Sequence, residues 1–125
     1  MNLRESVKQK LERATGWRRP RRDAIVAALR RRTQPRTIRF ADDGTIPNNP
    51  TLPLIVYPAI IDLSRFSDPA AVFETLFEAN GWGDSWRDGI YDYAHYHSGI
   101  HEVLGIARGQ ARVRFGGDRG REISL

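Results

Sequence analysis

Strict alternation of side chains in the last third of the chain constrains its fold most. From Ile90, the aromatic and imidazole side chains of Tyr91, Tyr93, His95 and His97 recur at every second position. Successive side chains of a β-strand point to opposite faces, so this spacing predicts a strand that carries all four on one face. Residues 111–115 alternate apolar residues with arginine, which predicts a second strand with one buried face.

Shorter signals predict the remaining elements of the chain. Apolar runs bounded by Pro, Asn or Gly predict strands over residues 37–40, 54–57, 60–63, 102–107 and 122–125. Asp68 followed by Pro69 predicts the start of a helix, which Asn80 and Gly81 end. Residues 81–86 are predicted to form a loop whose two tryptophans cover an edge of the core.

Basic charge is concentrated at the N-terminus. Residues 1–36 contain twelve basic and three acidic residues, and residues 37–125 contain eight and twelve, so charges of +9 and −4 make up the net +5. Apolar residues at helical spacing predict two short helices here, one from Leu3 to Ala14 and one from Ala24 to Leu29. We therefore divide the chain into a basic, helical N-terminal extension (residues 1–36) and a domain (residues 37–125).

The role of the basic extension has two interpretations. Such an amphipathic segment could lie on phosphates or on an anionic lipid surface. We favour a solvated, partly frayed extension, because isolated helices shorter than about 12 residues are marginal in water. Contact with nucleic acid ranks lower, since the sequence contains no recognisable reading motif.

Length and composition exclude several classes of protein. A chain of 125 residues favours a single core. It contains no cysteine, which excludes disulfides, thiolate metal sites and a cysteine nucleophile. No apolar run approaches the roughly 18 residues of a membrane span, and no signal-type stretch follows Met1, so we expect a cytoplasmic protein.

All three histidines of the chain lie within seven residues, at positions 95, 97 and 101. Two imidazoles at i and i+2 of a strand can converge on one ion, at about 2.1 Å each. Glu102 could add a carboxylate oxygen, which completes a two-histidine, one-carboxylate set suited to Fe(II) and similar ions. His101 has the opposite strand parity to Glu102, so only one of these two is expected to face the histidine pair.

The spacing of five residues resembles the first conserved motif of the cupin superfamily. Five residues separate Gly89 from His95, one separates His95 from His97, four separate His97 from Glu102 and six separate Glu102 from Gly109. The stretches 40–48, 52–57, 95–98 and 101–105 are similar to uncharacterised bacterial cupins of the YjlB-like group. The resemblance covers residues 34–125 and leaves out the basic extension.

This resemblance implies a mainly β fold, a partial cupin jelly roll or antiparallel β-barrel with one internal helix. It also implies a divalent metal ion (Fe, Mn, Zn or Ni) held inside by His95, His97 and Glu102, and a small-molecule ligand. His101, Tyr91 and Tyr93 are candidates for a further ligand or for the wall of the pocket. The simpler interpretation is that the two tyrosines fill the core.

The sequence departs from the cupin pattern after Gly109. A second cupin motif would supply a Pro-x-Gly and another histidine, but residues 110–125 contain neither proline nor histidine. The strands that would close a barrel are missing as well, which leaves an open sheet edge. The missing motif and strands have three possible explanations: a truncated or frameshifted product, a wall supplied by a partner subunit, or a degenerate remnant. Truncation is the explanation we favour, and the open edge makes a homodimer reasonable.

Three functions are compatible with these observations. The first is a metal-dependent cupin enzyme of oxygenase or isomerase type, with no acid or base assignable beyond the ligands. The second is a non-catalytic binding cupin whose basic extension contacts nucleic acid. The third is an inactive remnant with weak metal binding or none, because a poorly enclosed site orients a substrate badly.

Overall fold

Two helices and four short strands make up the regular structure of the part of the chain that is described. The structure is a computed structural model that describes residues 19–125. The helix predicted from Leu3 to Ala14 lies outside these residues. In chain order the elements are α1 (Arg22–Ala28), β1 (Arg36–Ile38), β2 (Leu54–Val56), a 3-10 helix (Leu63–Arg65), α2 (Pro69–Ala79), β3 (Arg112–Phe115) and β4 (Arg121–Ser124).

The strands form two separate antiparallel pairs. Thr37 of β1 lies opposite Ile55 of β2, and Val113 of β3 lies opposite Ile123 of β4. The predictions of strands at these four places are confirmed, as is the alternation of half-buried and exposed residues along β3. Within residues 19–125 both sheets are open and no barrel closes, so the cupin fold stays a prediction.

The core lies between α1 and α2. Its buried cluster consists of Ile25 and Ala28 from α1, Ile61 from the segment between β2 and the 3-10 helix, and Val72 from α2. Ile25 is 2% exposed and Val72 is fully buried. The helix predicted near residue 25 is thus present, but it is not the solvated, frayed segment that we favoured. Burial against α2 explains the difference, because tertiary packing stabilises a helix too short to persist alone.

Helix α2 matches its sequence signals. Pro69 occupies the first turn, where its missing N–H costs nothing, and Asp68 precedes it. The helix ends at Ala79 with Asn80 as its C-cap residue, and Gly81 adopts a φ of +82°, which favours glycine. Val72 faces the core, and Phe73 and Leu76 pack beside it. The sequence prediction of this helix is confirmed.

Three predicted strands are absent from the described residues. Residues 60–63 form only a single bridge, between Ile61 and Leu29, followed by the 3-10 helix. Residues 90–97 and 102–107 lie in an irregular segment, which we call the histidine loop (residues 81–110). A strand needs a neighbour for its backbone hydrogen bonds, and no segment of residues 19–125 pairs with these two.

The two tryptophans at the start of the histidine loop do not cover a core edge. Trp82 is 38% exposed and Trp86 is 62% exposed. The loop assignment for residues 81–86 is confirmed, whereas the predicted burial of the indole rings is wrong. The predicted strands that would have formed a sheet over these rings do not pair within residues 19–125.

The segment after β1 joins the β1–β2 pair to the β3–β4 pair. Asp43 accepts backbone N–H bonds within its own turn from Thr45 at 2.8 Å and Ile46 at 2.9 Å, and a further one from Asp118 at 3.0 Å. These bonds favour the charged carboxylate and lower the pKa of Asp43. Gly117, with a φ of +82°, leaves the space that this carboxylate occupies.

Candidate metal site

Alternate side chains from Tyr91 to His97 gather on one side of the histidine loop. The rings of Tyr91 and Tyr93 stack with centroids 5.2 Å apart, and those of His95 and His97 meet edge to face at 5.3 Å. The His95 ring also lies 5.4 Å from Tyr91 and 5.6 Å from Tyr93. The shared face predicted from the period of two is therefore present, although its backbone is unpaired.

Three potential metal ligands lie together at the end of this face. One ligand atom from each of His95, His97 and Glu102 lies within 4.8 Å of the other two. His97 Nε2 and Glu102 Oε2 are 3.7 Å apart. We call these three residues the His–Glu group. It consists of the three residues that the sequence predicted as ligands.

One donor separation in the His–Glu group is close to that around a bound divalent ion. Metal bonds of about 2.1 Å place neighbouring donor atoms roughly 3.0 to 3.4 Å apart in octahedral or tetrahedral geometry. The His97–Glu102 separation is a few tenths of an ångström wider. The His97 side chain is 35% exposed and that of Glu102 31%, so both can rotate to close the gap. The same exposure leaves open positions for water or a small ligand.

The other three candidate residues, His101, Tyr91 and Tyr93, lie outside the His–Glu group. His101 is exposed and is not a member of the His–Glu group, in agreement with its opposite parity. Tyr91 and Tyr93 are 46% and 61% exposed, so their interpretation as core filling is wrong. The Tyr91 hydroxyl donates a hydrogen bond to Asp88 at 3.3 Å. The negative charge of Asp88, and then this bond, raise the pKa of Tyr91.

Arg87 holds the start of the histidine loop on α2, a role that the sequence analysis missed. Its guanidinium donates to Glu74 at 2.9 and 3.0 Å and to Asp68 at 2.9 and 3.2 Å. The hydrogen bonds to Glu74, and then those to Asp68, raise the pKa of Arg87. Its partners lie 13 and 19 residues away in sequence, so no local pattern could have indicated this contact.

The end of the histidine loop is attached to the same helix. Gly105 lies against the Phe73 ring so closely that a Cβ atom there would overlap it. Arg108 donates to the Ser67 carbonyl oxygen at 3.2 Å, just before α2 begins. The loop that carries the His–Glu group is thus fixed at both ends to residues 67–74.

Comparison with known proteins gives one relative. The chain is 39% identical over 95 residues to the uncharacterised protein YjlB of Bacillus subtilis (strain 168), a match that covers 76% of this chain and 53% of YjlB. The chain therefore spans about half the length of this relative. No family model matches the chain, and no solved structure matches it.

The similarity to YjlB agrees with the group named from the sequence motifs, while membership of the cupin superfamily stays a prediction. YjlB is itself uncharacterised, so the similarity transfers no activity to this chain. Among residues 19–125, no helix combines the length and the apolar character of a membrane span.

Proposed function

We propose that this chain is a cupin-type protein that binds a divalent metal ion at the His–Glu group and a small molecule beside it. One observation carries the proposal: three residues of suitable type, predicted from their spacing, have ligand atoms within 4.8 Å of one another. The cupin fold is part of this proposal, and so are Fe, Mn, Zn and Ni as the candidate ions. Catalysis of oxygenase or isomerase type is a further step, for which the site supplies no separate acid or base.

The chemistry of the donors supports an ion of intermediate hardness. Two imidazole nitrogens and one carboxylate oxygen are the set that non-haem iron sites use, and Mn, Zn and Ni accept the same atoms. When bound, such an ion would polarise an oxygen atom of a ligand that occupies its open positions. The protein's own residues would hold the ion and leave one side open to solvent.

The surrounding rings support a small-molecule site beside the ion. Tyr91 and Tyr93 stack next to His95 and present exposed faces that a planar or apolar ligand can contact. The Tyr91 hydroxyl donates its single proton to Asp88, so its oxygen would accept a hydrogen bond from a ligand. These tyrosines would therefore position a ligand rather than supply a base.

Metal analysis of the full chain tests the proposal directly. Purified protein is dialysed at neutral pH against Fe(II), Mn(II), Zn(II) or Ni(II) in turn, and the bound ion is counted by mass spectrometry. We expect about one ion per chain for at least one metal. We also expect the melting temperature to rise with the concentration of that metal. Binding adds about 2.7 kcal/mol to the free energy of unfolding when the metal is at a hundred times its dissociation constant.

His101 provides a matched control because it has the same side chain, lies four residues from His97 and is outside the His–Glu group. His97→Ala and Glu102→Gln should each weaken metal binding at least tenfold, whereas His101→Ala should leave it unchanged. A wild-type chain that binds none of the four ions, or equal losses in all three variants, would refute the proposal. Absence of a cooperative melting transition would instead indicate an inactive remnant.

A further inference from the structure

The outward side of α1 and the turn after it form a shallow, positively charged depression. It is lined by Arg21, Arg22, Asp23, Val26, Ala27 and Arg31. Arg32 follows directly and is exposed as well. We call Arg22, Arg31 and Arg32 the arginine patch.

The charges of the arginine patch are not compensated within residues 19–125. Neighbouring Arg21 forms an ion pair with Asp23 at 3.1 Å, which neutralises both residues. No carboxylate in the described part of the chain pairs with any of the three patch arginines. The guanidinium groups of Arg22 and Arg31 in the depression, and that of Arg32 next in the sequence, therefore remain to bind an anion.

The backbone beneath the arginine patch is fixed by the core. Ile25 and Ala28, on the opposite side of α1, are 2% and 3% exposed. The N–H of Arg30 donates to the Ile60 carbonyl oxygen at 2.8 Å and holds the turn in place. Binding an anion therefore requires the ordering of side chains only, which lowers its entropic cost.

We propose that the arginine patch binds the phosphate groups of a nucleic acid backbone. Planar guanidinium groups bind phosphate oxygens in pairs, and 18 of the 20 basic residues of this chain are arginine. The +9 charge of residues 1–36, set against −4 in the remainder, directs a polyanion to this part of the molecule. The proposal does not depend on the metal site.

An anionic membrane is a weaker fit to the same surface. A helix that lies in a membrane interface inserts its apolar face between the lipids. In α1 that face is already buried in the core, and the outward side offers only Val26, which is 44% exposed, and Ala27. A shallow depression with several spaced arginines also suits a chain of phosphates better than a single phosphate ion.

Salt dependence of binding provides the test. Fluorescence anisotropy of the full chain with labelled duplex DNA, duplex RNA and single strands is measured between about 50 and 200 mM salt. Three arginine–phosphate contacts predict a slope of log K against log salt near −2.7 for duplex DNA, or a loss of about 40-fold over this range. The three probes distinguish DNA from RNA as the source of the phosphates.

The double variant Arg22→Gln, Arg31→Gln should reduce that slope by about 1.8, because it removes two phosphate contacts. The control variant Arg112→Gln, Arg121→Gln removes the same charge from the β3–β4 pair and should leave the slope unchanged. Circular dichroism and melting curves are used to check that both variants fold. An unchanged slope in the patch variant, an equal loss in the control, or tighter binding to phosphatidylglycerol vesicles than to any nucleic acid overturns the proposal.

Discussion

Replacing Arg87 with alanine should destabilise the protein and loosen the histidine loop together. Its four hydrogen bonds reach Asp68 and Glu74, whose side chains are each only 17% exposed, while Arg87 itself is 44% exposed. An isolated surface ion pair contributes about 0.2 to 1 kcal/mol. Hydrogen bonds to charged groups contribute about 1.5 to 3 kcal/mol each where they are well buried.

The arrangement around Arg87 lies between these limits. Loss of the guanidinium removes hydrogen bonds and a counter-charge from two largely buried carboxylates. Partial exposure of Arg87 lets water screen the ion pairs, so we expect a loss of about 2 to 3 kcal/mol in the free energy of unfolding. For a domain of this size that lowers the melting temperature by roughly 8 to 12 °C.

Arg65 supplies the matched control. It forms a single ion pair with Asp62, three residues earlier, and is 59% exposed, so Arg65→Ala should cost less than about 1 kcal/mol. Urea unfolding measures both variants. The reasoning about Arg87 would be refuted if Arg87→Ala and Arg65→Ala differed by less than about 0.5 kcal/mol. It would also fail if the additional changes Asp68→Asn and Glu74→Gln recovered none of the lost stability.

Two further predictions concern the core and the acid limit of stability. Ile25→Ala should lower the free energy of unfolding by about 2 to 5 kcal/mol, because it opens a cavity between the helices. Val26→Ala, at an exposed position, should change it by less than about 0.5 kcal/mol. Equal effects of the two variants in urea unfolding would contradict the packing of α1. The Asp43 carboxylate has a lowered pKa in the folded protein, so its contribution is present above the ordinary value of 3.8 and is lost as pH falls through the lower folded value. Asp43→Asn should melt at a lower temperature at neutral pH and show a flatter acid decline; parallel melting curves against pH would contradict this.

Local sequence signals were sufficient wherever the structure depends on near neighbours. The start of α2 at Pro69 and its end near Gly81 follow from backbone preferences that act within a few residues. The His–Glu group was predictable for the same reason, because a period of two places His95 and His97 on one side whether or not the backbone pairs. The strands β3 and β4 likewise followed from alternation and bounding glycines, although their pairing was not predicted.

Long-range contacts could not be predicted from these signals. The alternation from residue 90 onward indicates an extended backbone but does not state whether another strand lies beside it, and none among residues 19–125 does. The apolar stripe of α1 is equally compatible with a frayed segment and with a helix that packs on Val72. Arg87 was missed because its significance depends on two carboxylates that only the folded chain brings near.

The attachment of the histidine loop to residues 67–74 has a consequence for variation in this protein. The contacts made by Arg87 at one end of the loop and by Gly105 and Arg108 at the other all lie on the first part of α2 and the two residues before it. A small rotation of that helix would carry both imidazoles with it. If the proposed metal ion binds at the His–Glu group, mutations that only repack the neighbourhood of Phe73 should therefore change its affinity without altering any of the three ligand residues.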